Sequence, residues 1–129
     1  MAKAVKAKGQ NQRQALAASA VLMGMGRKAT GEAAFSLFRM KQKLKEYVDF
    51  QAEEEEKMVE RAGGQITEDG KIIIEDPMKR KAFLEEKKKL GEMEIKPAIE
   101  PIRIAPERIP EINMDEIEAL QGFIIFEKE

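Results

Sequence analysis

The chain of 129 residues has no cysteine, no histidine and no tryptophan, and its one tyrosine is Tyr47. Without cysteine no disulfide framework can form. Without imidazole or thiolate there is no zinc site of the usual kind, no haem ligation, no Cys-His nucleophile and no Ser-His-Asp triad. Only carboxylates, lysines, Tyr47 and a few hydroxyls are left, so a non-enzymatic protein with no cofactor and no metal is expected. No apolar run approaches the roughly 20 residues that span a bilayer, and no membrane partner is expected. Ala15 to Met25 follows a basic start as a signal-peptide core would. It is Ala-rich and only weakly apolar, however, and gives way to Gly26, Arg27 and Lys28 without a convincing cleavage site. A cytoplasmic location is the expectation.

Acid is missing from one end. Residues 1–30 carry Lys3, Lys6, Lys8, Arg13, Arg27 and Lys28 with no Asp or Glu, although the whole chain has a net charge of -1. The remaining residues therefore hold 17 basic and 24 acidic side chains, a basic arm ahead of an acidic body. Residues 1–10 offer no apolar stripe for a core to bury and are expected to form a disordered arm. Lys3, Lys6, Lys8 and Arg13 are the side chains that would neutralise phosphates if this arm met a nucleic acid. Neither interleaved aromatics nor a base-reading motif accompanies them, so nucleic acid is the lesser partner.

Residues 11–129 are about the size of one domain. A short helix of small residues is expected from Asn11 to Gly24 or Gly26. After Thr30, placed to cap, Leu37, Met40, Leu44, Tyr47, Val48, Met58, Val59 and Ala62 recur at steps of three and four. That spacing predicts one amphipathic helix over 31–62, with Lys41, Lys43, Lys45, Glu46 and Glu53 to Glu56 on its solvent side. Gly63 and Gly64 end it, and Asp69-Gly70 between β-favouring residues predicts a hairpin over 65–75. Asp76-Pro77 starts a helix over 77–90, antiparallel to the long one. Prolines make 93–112 an extended segment, and Asn113, Asp115 and Glu116 resemble a capping box for a helix over 114–124. The expected fold is mainly α, a long helical hairpin with a small β-hairpin at its tip, a Pro-rich extended segment and a short C-terminal helix.

Few residues invite chemistry. The segment Gln65 to Asp76 imitates a calcium loop, but Gln65, Thr67 and Asp76 stand where that loop needs Asp, Asp or Asn, and a bidentate Glu. Four consecutive glutamates, Glu53 to Glu56, point around a helix and cannot converge on one ion unaided. Lys79-Arg80-Lys81 and Lys87-Lys88-Lys89 are expected to pair across the helical hairpin. Ile117, Leu120, Phe123, Ile124 and Phe126 form a terminal segment too apolar for water, which must dock on the body or on a partner. These five are the candidate protein interface.

In its order of features the chain resembles small proteins encoded by bacteriophages and prophages of Gram-positive bacteria. Leu37 to Val59, Asp69-Gly70-Lys71, Asp76-Pro77, Ile95 to Ile104 and Met114 to Leu120 carry the resemblance, which covers about residues 15–126. It departs at the N-terminus, where such proteins begin with a short apolar strand and this one has a Lys-rich arm. The resemblance implies a bacterial host cell or a virion as the setting and transfers no catalytic residue. A protein-interaction or assembly module, binding a partner or itself, is the expected function. An inhibitor of a host defence protein and a nucleic-acid-associated protein are the alternatives.

Overall fold

The computed structural model describes residues 10–25, 29–109 and 111–127. Lys3, Lys6 and Lys8, and the arm they belong to, lie outside these residues up to Gln10. Gln10 itself is buried in the body. Asn11 opens helix α1 (Gln12–Met25): its Oδ1 accepts from Gln14 N at 2.8 Å while Gln14 Oε1 accepts from Asn11 N at 3.0 Å. This reciprocal cap satisfies two amides that the first turn leaves free. Ala15, Ala18 and Ser19 line the buried side of α1, and such small side chains let it lie close to α2.

Helix α2 spans Gly31–Arg61, about 46 Å at 1.5 Å per residue. Thr30 occupies the capping position, but its side chain makes no capping hydrogen bond; Glu32 alone adds favourable charge to the first turn. Ala33, Leu37, Met40, Leu44, Met58 and Val59 are buried, and Tyr47 and Val48 half-buried, as the three-four spacing requires. Two glycines end the helix for different reasons. Gly63 takes a φ of 66°, and the Gly64 amide donates back to Val59 O at 2.9 Å, a helix-closing turn that favours glycine at its left-handed position. Gly64 is needed for space, since a β-carbon there would lie 2.7 Å from both Ile73 O and Ile74 Cγ1.

Strands β1 (Gln65–Ile66) and β2 (Ile72–Ile73) pair antiparallel around the Asp69-Gly70 turn. Asp76 then caps helix α3 (Pro77–Glu92), accepting from Met78 N at 2.9 Å and Lys79 N at 3.3 Å. α3 continues through Gly91 to Glu92, two residues past its expected end at residue 90. A β-carbon on Gly91 would come within 3.3 Å of Arg13 Cβ, so the bare position admits α1 alongside the helix. Helices α2 and α3 run side by side, tied by Arg61 to Glu86 at 2.9 Å and Lys87 to Glu55 at 3.2 Å. Arg80 folds instead over the preceding loop, donating to Ile74 O at 3.0 Å.

Beyond α3 the chain is extended, as the prolines require, and is held at both ends. Met93 to Ile95 lies antiparallel to Gln10 to Gln12, with Gln12 N donating to Met93 O at 2.9 Å and Ile95 N to Gln10 O at 3.0 Å. Strand β3 (Ile102–Ile104) pairs in parallel with β4 (Ile124–Phe126), in the register Ile102 to Ile124. Between them lie a 3-10 turn at Pro106–Arg108 and helix α4 (Met114–Leu120), which carries the expected Asn113–Glu116 capping box. α4 ends at Leu120, four residues short of the expected boundary. The β-branched Ile124 and Ile125 leave the helix to pair with β3, a long-range choice that local spacing cannot reveal.

The apolar interior divides in two. The larger cluster gathers α1, the first half of α2, Ile95, Ile104, Ile109, Leu120, Phe123 and Ile124. The smaller one holds Met58, Val59, Ile74, Phe83 and Leu90. Together they give a mainly helical fold in which α2 is the common spine.

Candidate interaction surface

Leu120 and Phe123 have no exposed surface and Ile124 has 1%. They form the centre of the larger cluster, and the terminal segment docks on the body of its own chain. Ile117 and Phe126 are half-buried beside them. Of the five residues expected at an interface, three therefore offer nothing to a partner, because β4 and the turn at Gly122 fold them inward. Arg13, the one described member of the basic set, is exposed on helix α1, with its Cβ beside Gly91.

The carboxylates do not converge. Asp69 engages Thr67 and lies 3.9 Å from Lys71, whereas Asp76 is occupied in capping α3. Glu54 pairs with Lys57 at 3.1 Å and Glu55 with Lys87, on different sides of α2. Among the described residues no three acidic side chains are arranged to hold a metal ion, and no helix is long and apolar enough to cross a membrane. Tyr47 has its phenol raised above the ordinary value, first by burial and then by the charge and hydrogen bond of Glu46.

A different feature has the character of a binding surface. Phe35 is 59% exposed, Phe38 54% and Phe50 39%. With 3.6 residues per turn all three fall on the side of α2 opposite Leu37, Met40 and Leu44. The rings of Phe35 and Phe38 stack with centroids 6.5 Å apart, and the Arg39 guanidinium lies 5.9 Å from the Phe35 centroid. Half of the chain's six phenylalanines thus lie on one outward helix face. The periodicity that finds the buried stripe passes over them. A helical wheel that asked which large apolar residues fall on the polar face would have found them.

Against protein-family models, curated proteins and solved structures, the chain finds no match.

Proposed function

We propose that this protein is a non-enzymatic interaction or assembly module of bacteriophage type that docks on protein through the outer face of α2. The carrying observation is the exposed Phe35, Phe38 and Phe50. A single exposed Phe is ordinary, but aromatics aligned on one face with an arginine over one ring have the composition that protein interfaces favour. Using about 200 Å² per ring, the stacked Phe35 and Phe38 together expose roughly 230 Å² of contiguous aromatic surface, with Phe50 about 18 Å farther along the helix. The absence of His and Cys favours binding over catalysis. The phage setting rests on the order of features from Leu37 to Leu120.

Affinity capture from phage-infected cells with the wild-type chain and with Phe35→Ser/Phe38→Ser tests the reading. Loss of the captured proteins, with helix content unchanged by circular dichroism, is the expected result. An identical set of captured proteins from both chains would count against it.

A further inference from the structure

The outward strip of α2 changes character halfway along. With 3.6 residues per turn, Phe35, Phe38 and Gln42 fall along its middle, Arg39 and Lys43 along one flank, and Lys41 and Lys45 along the other. No acid lies between Ala33 and Lys45. From there on the same strip carries Glu46, Asp49, Glu53, Glu56 and Glu60, all of them exposed. From Phe35 to Lys45, about 15 Å along the axis, the rings are therefore framed by positive charge on both sides, and the frame closes at Glu46. Arg39, Lys41 and Lys43 are exposed and have no ion-pair partner among the described residues, while Lys45 reaches Asp49 at 3.5 Å.

We infer that the occupant of this framed patch is an acidic segment of a partner protein, with Asp or Glu on either side of large apolar side chains. This rests on the docking reading above and gives the partner its chemistry. Phe35 and Phe38 together expose roughly 230 Å², well short of the about 800 Å² per partner that a stable interface covers. The cover must therefore extend over the long side chains on both flanks. A neutral partner would leave those charges buried and unpaired, and a basic one would set like charge against like. Carboxylates over the flanks pair with them instead. The Arg39 guanidinium, 5.9 Å from the Phe35 centroid, is already held beside the rings to receive one. Nucleic acid fits the patch less well, because a strand running on along the helix would carry its phosphates into Glu46, Asp49 and Glu53. A protein segment can confine its acids to one short stretch.

Selection from a displayed library of random peptides of about 16 residues, long enough to cover the patch as a helix, reads this chemistry with the full chain as bait. Enriched peptides are expected to carry Asp or Glu interleaved with large apolar residues. A labelled peptide of that kind should bind roughly tenfold or more weakly to Phe35→Ser/Phe38→Ser and to Arg39→Glu/Lys43→Glu, each with helix content unchanged by circular dichroism. Arg39→Gln/Lys43→Gln, which removes charge without adding any, should give a smaller loss in the same direction and guards against misfolding. Raising the salt from about 50 to about 300 mM should weaken binding several-fold. Repeated on Arg39→Glu/Lys43→Glu, the selection should lose its acidic bias.

No enrichment, enriched peptides without an excess of acid, an acidic peptide that binds the charge-reversed chain equally well, or a single-stranded oligonucleotide that binds the patch more tightly than the peptides would each overturn the acidic partner. So would a patch covered by a second copy, seen as self-association in sedimentation velocity that Arg39→Glu/Lys43→Glu abolishes. If the enriched peptides depend on Phe35 and Phe38 but not on Arg39 and Lys43, the acidic partner falls and the docking reading stands. If neither peptide binding nor capture from infected cells responds to Phe35→Ser/Phe38→Ser, both fall.

Discussion

Gln10 holds Ile99 by both ends of its side-chain amide: Nε2 donates to Ile99 O and Ile99 N donates to Oε1, each at 2.7 Å. The same Nε2 donates to Gly122 O at 2.8 Å. A side chain thus takes the place of a neighbouring strand's backbone, joining the extended segment to the turn before β4. Because the site is buried, its hydrogen bonds cannot pass to water without cost.

Gln10→Ala is expected to lower stability by about 2–3 kcal/mol, since it leaves two buried carbonyls and an amide without this partner. Gln10→Glu places a carboxylate against two carbonyl oxygens, which raises the folded-state pKa of the introduced group. Its fold is therefore most stable below the unfolded carboxyl value of about 4.3 and loses stability as pH rises through the folded value. Urea denaturation at several pH values measures both effects. A Gln10→Glu chain equally stable at neutral and acid pH would refute the clasp.

Gly64→Ala is expected to destabilise by about 1–3 kcal/mol, because one of the atoms the new methyl would meet is the Ile73 carbonyl, which cannot rotate away. Gly24→Ala serves as the control, since a β-carbon there meets nothing within 4 Å. Thermal unfolding of the two variants should differ clearly in midpoint.

Phe123 and Phe35 separate core from surface. Phe123→Ala should cost about 3–5 kcal/mol through the cavity it leaves, and Phe35→Ala about 0.5 kcal/mol or less. Chemical denaturation curves of the two variants decide the matter. Equal stabilities would contradict the docking of the terminal segment on the body.

Tyr47 gives a pH dependence of definite sign. Its phenol is raised in the folded chain, so folding favours the protonated form. The associated stability is complete below the unfolded value of about 10 and is lost as pH rises through the folded value. As the only tyrosine in a chain without tryptophan, it can be titrated by phenolate absorbance without interference. The midpoint should lie higher in the folded chain than in urea, and Tyr47→Phe should flatten the alkaline loss of stability. A midpoint unchanged by unfolding would rule this out.

Elements governed by neighbours in sequence were legible. The long helix follows from its three-four spacing, the hairpin from Asp69-Gly70, and the caps at Asp76 and Asn113 from residues within one turn of the amides they satisfy. Choices set by distant partners were not. Nothing near Ile124 announces a parallel pairing with Ile102, and glutamine carries no local sign that it will be buried as Gln10 is. The terminal segment was correctly read as too apolar for water, but which of two surfaces it covers depends on the rest of the fold. The aromatic face was legible in principle: the same wheel that selects Leu37 and Leu44 places Phe35, Phe38 and Phe50 on the far side.

The clasp at Gln10 also bears on the order in which the molecule is made. Residues 10 and 122 must both be present before the larger cluster can close, and Phe123 and Ile124 are part of its centre. On the ribosome, α1 therefore emerges long before its binding groove exists. The smaller cluster, entirely within residues 58–90 of the α2–α3 hairpin, has all its members as soon as α3 is synthesised. Synthesis thus favours an early, local folding unit that waits for the last part of the described chain to seal the first.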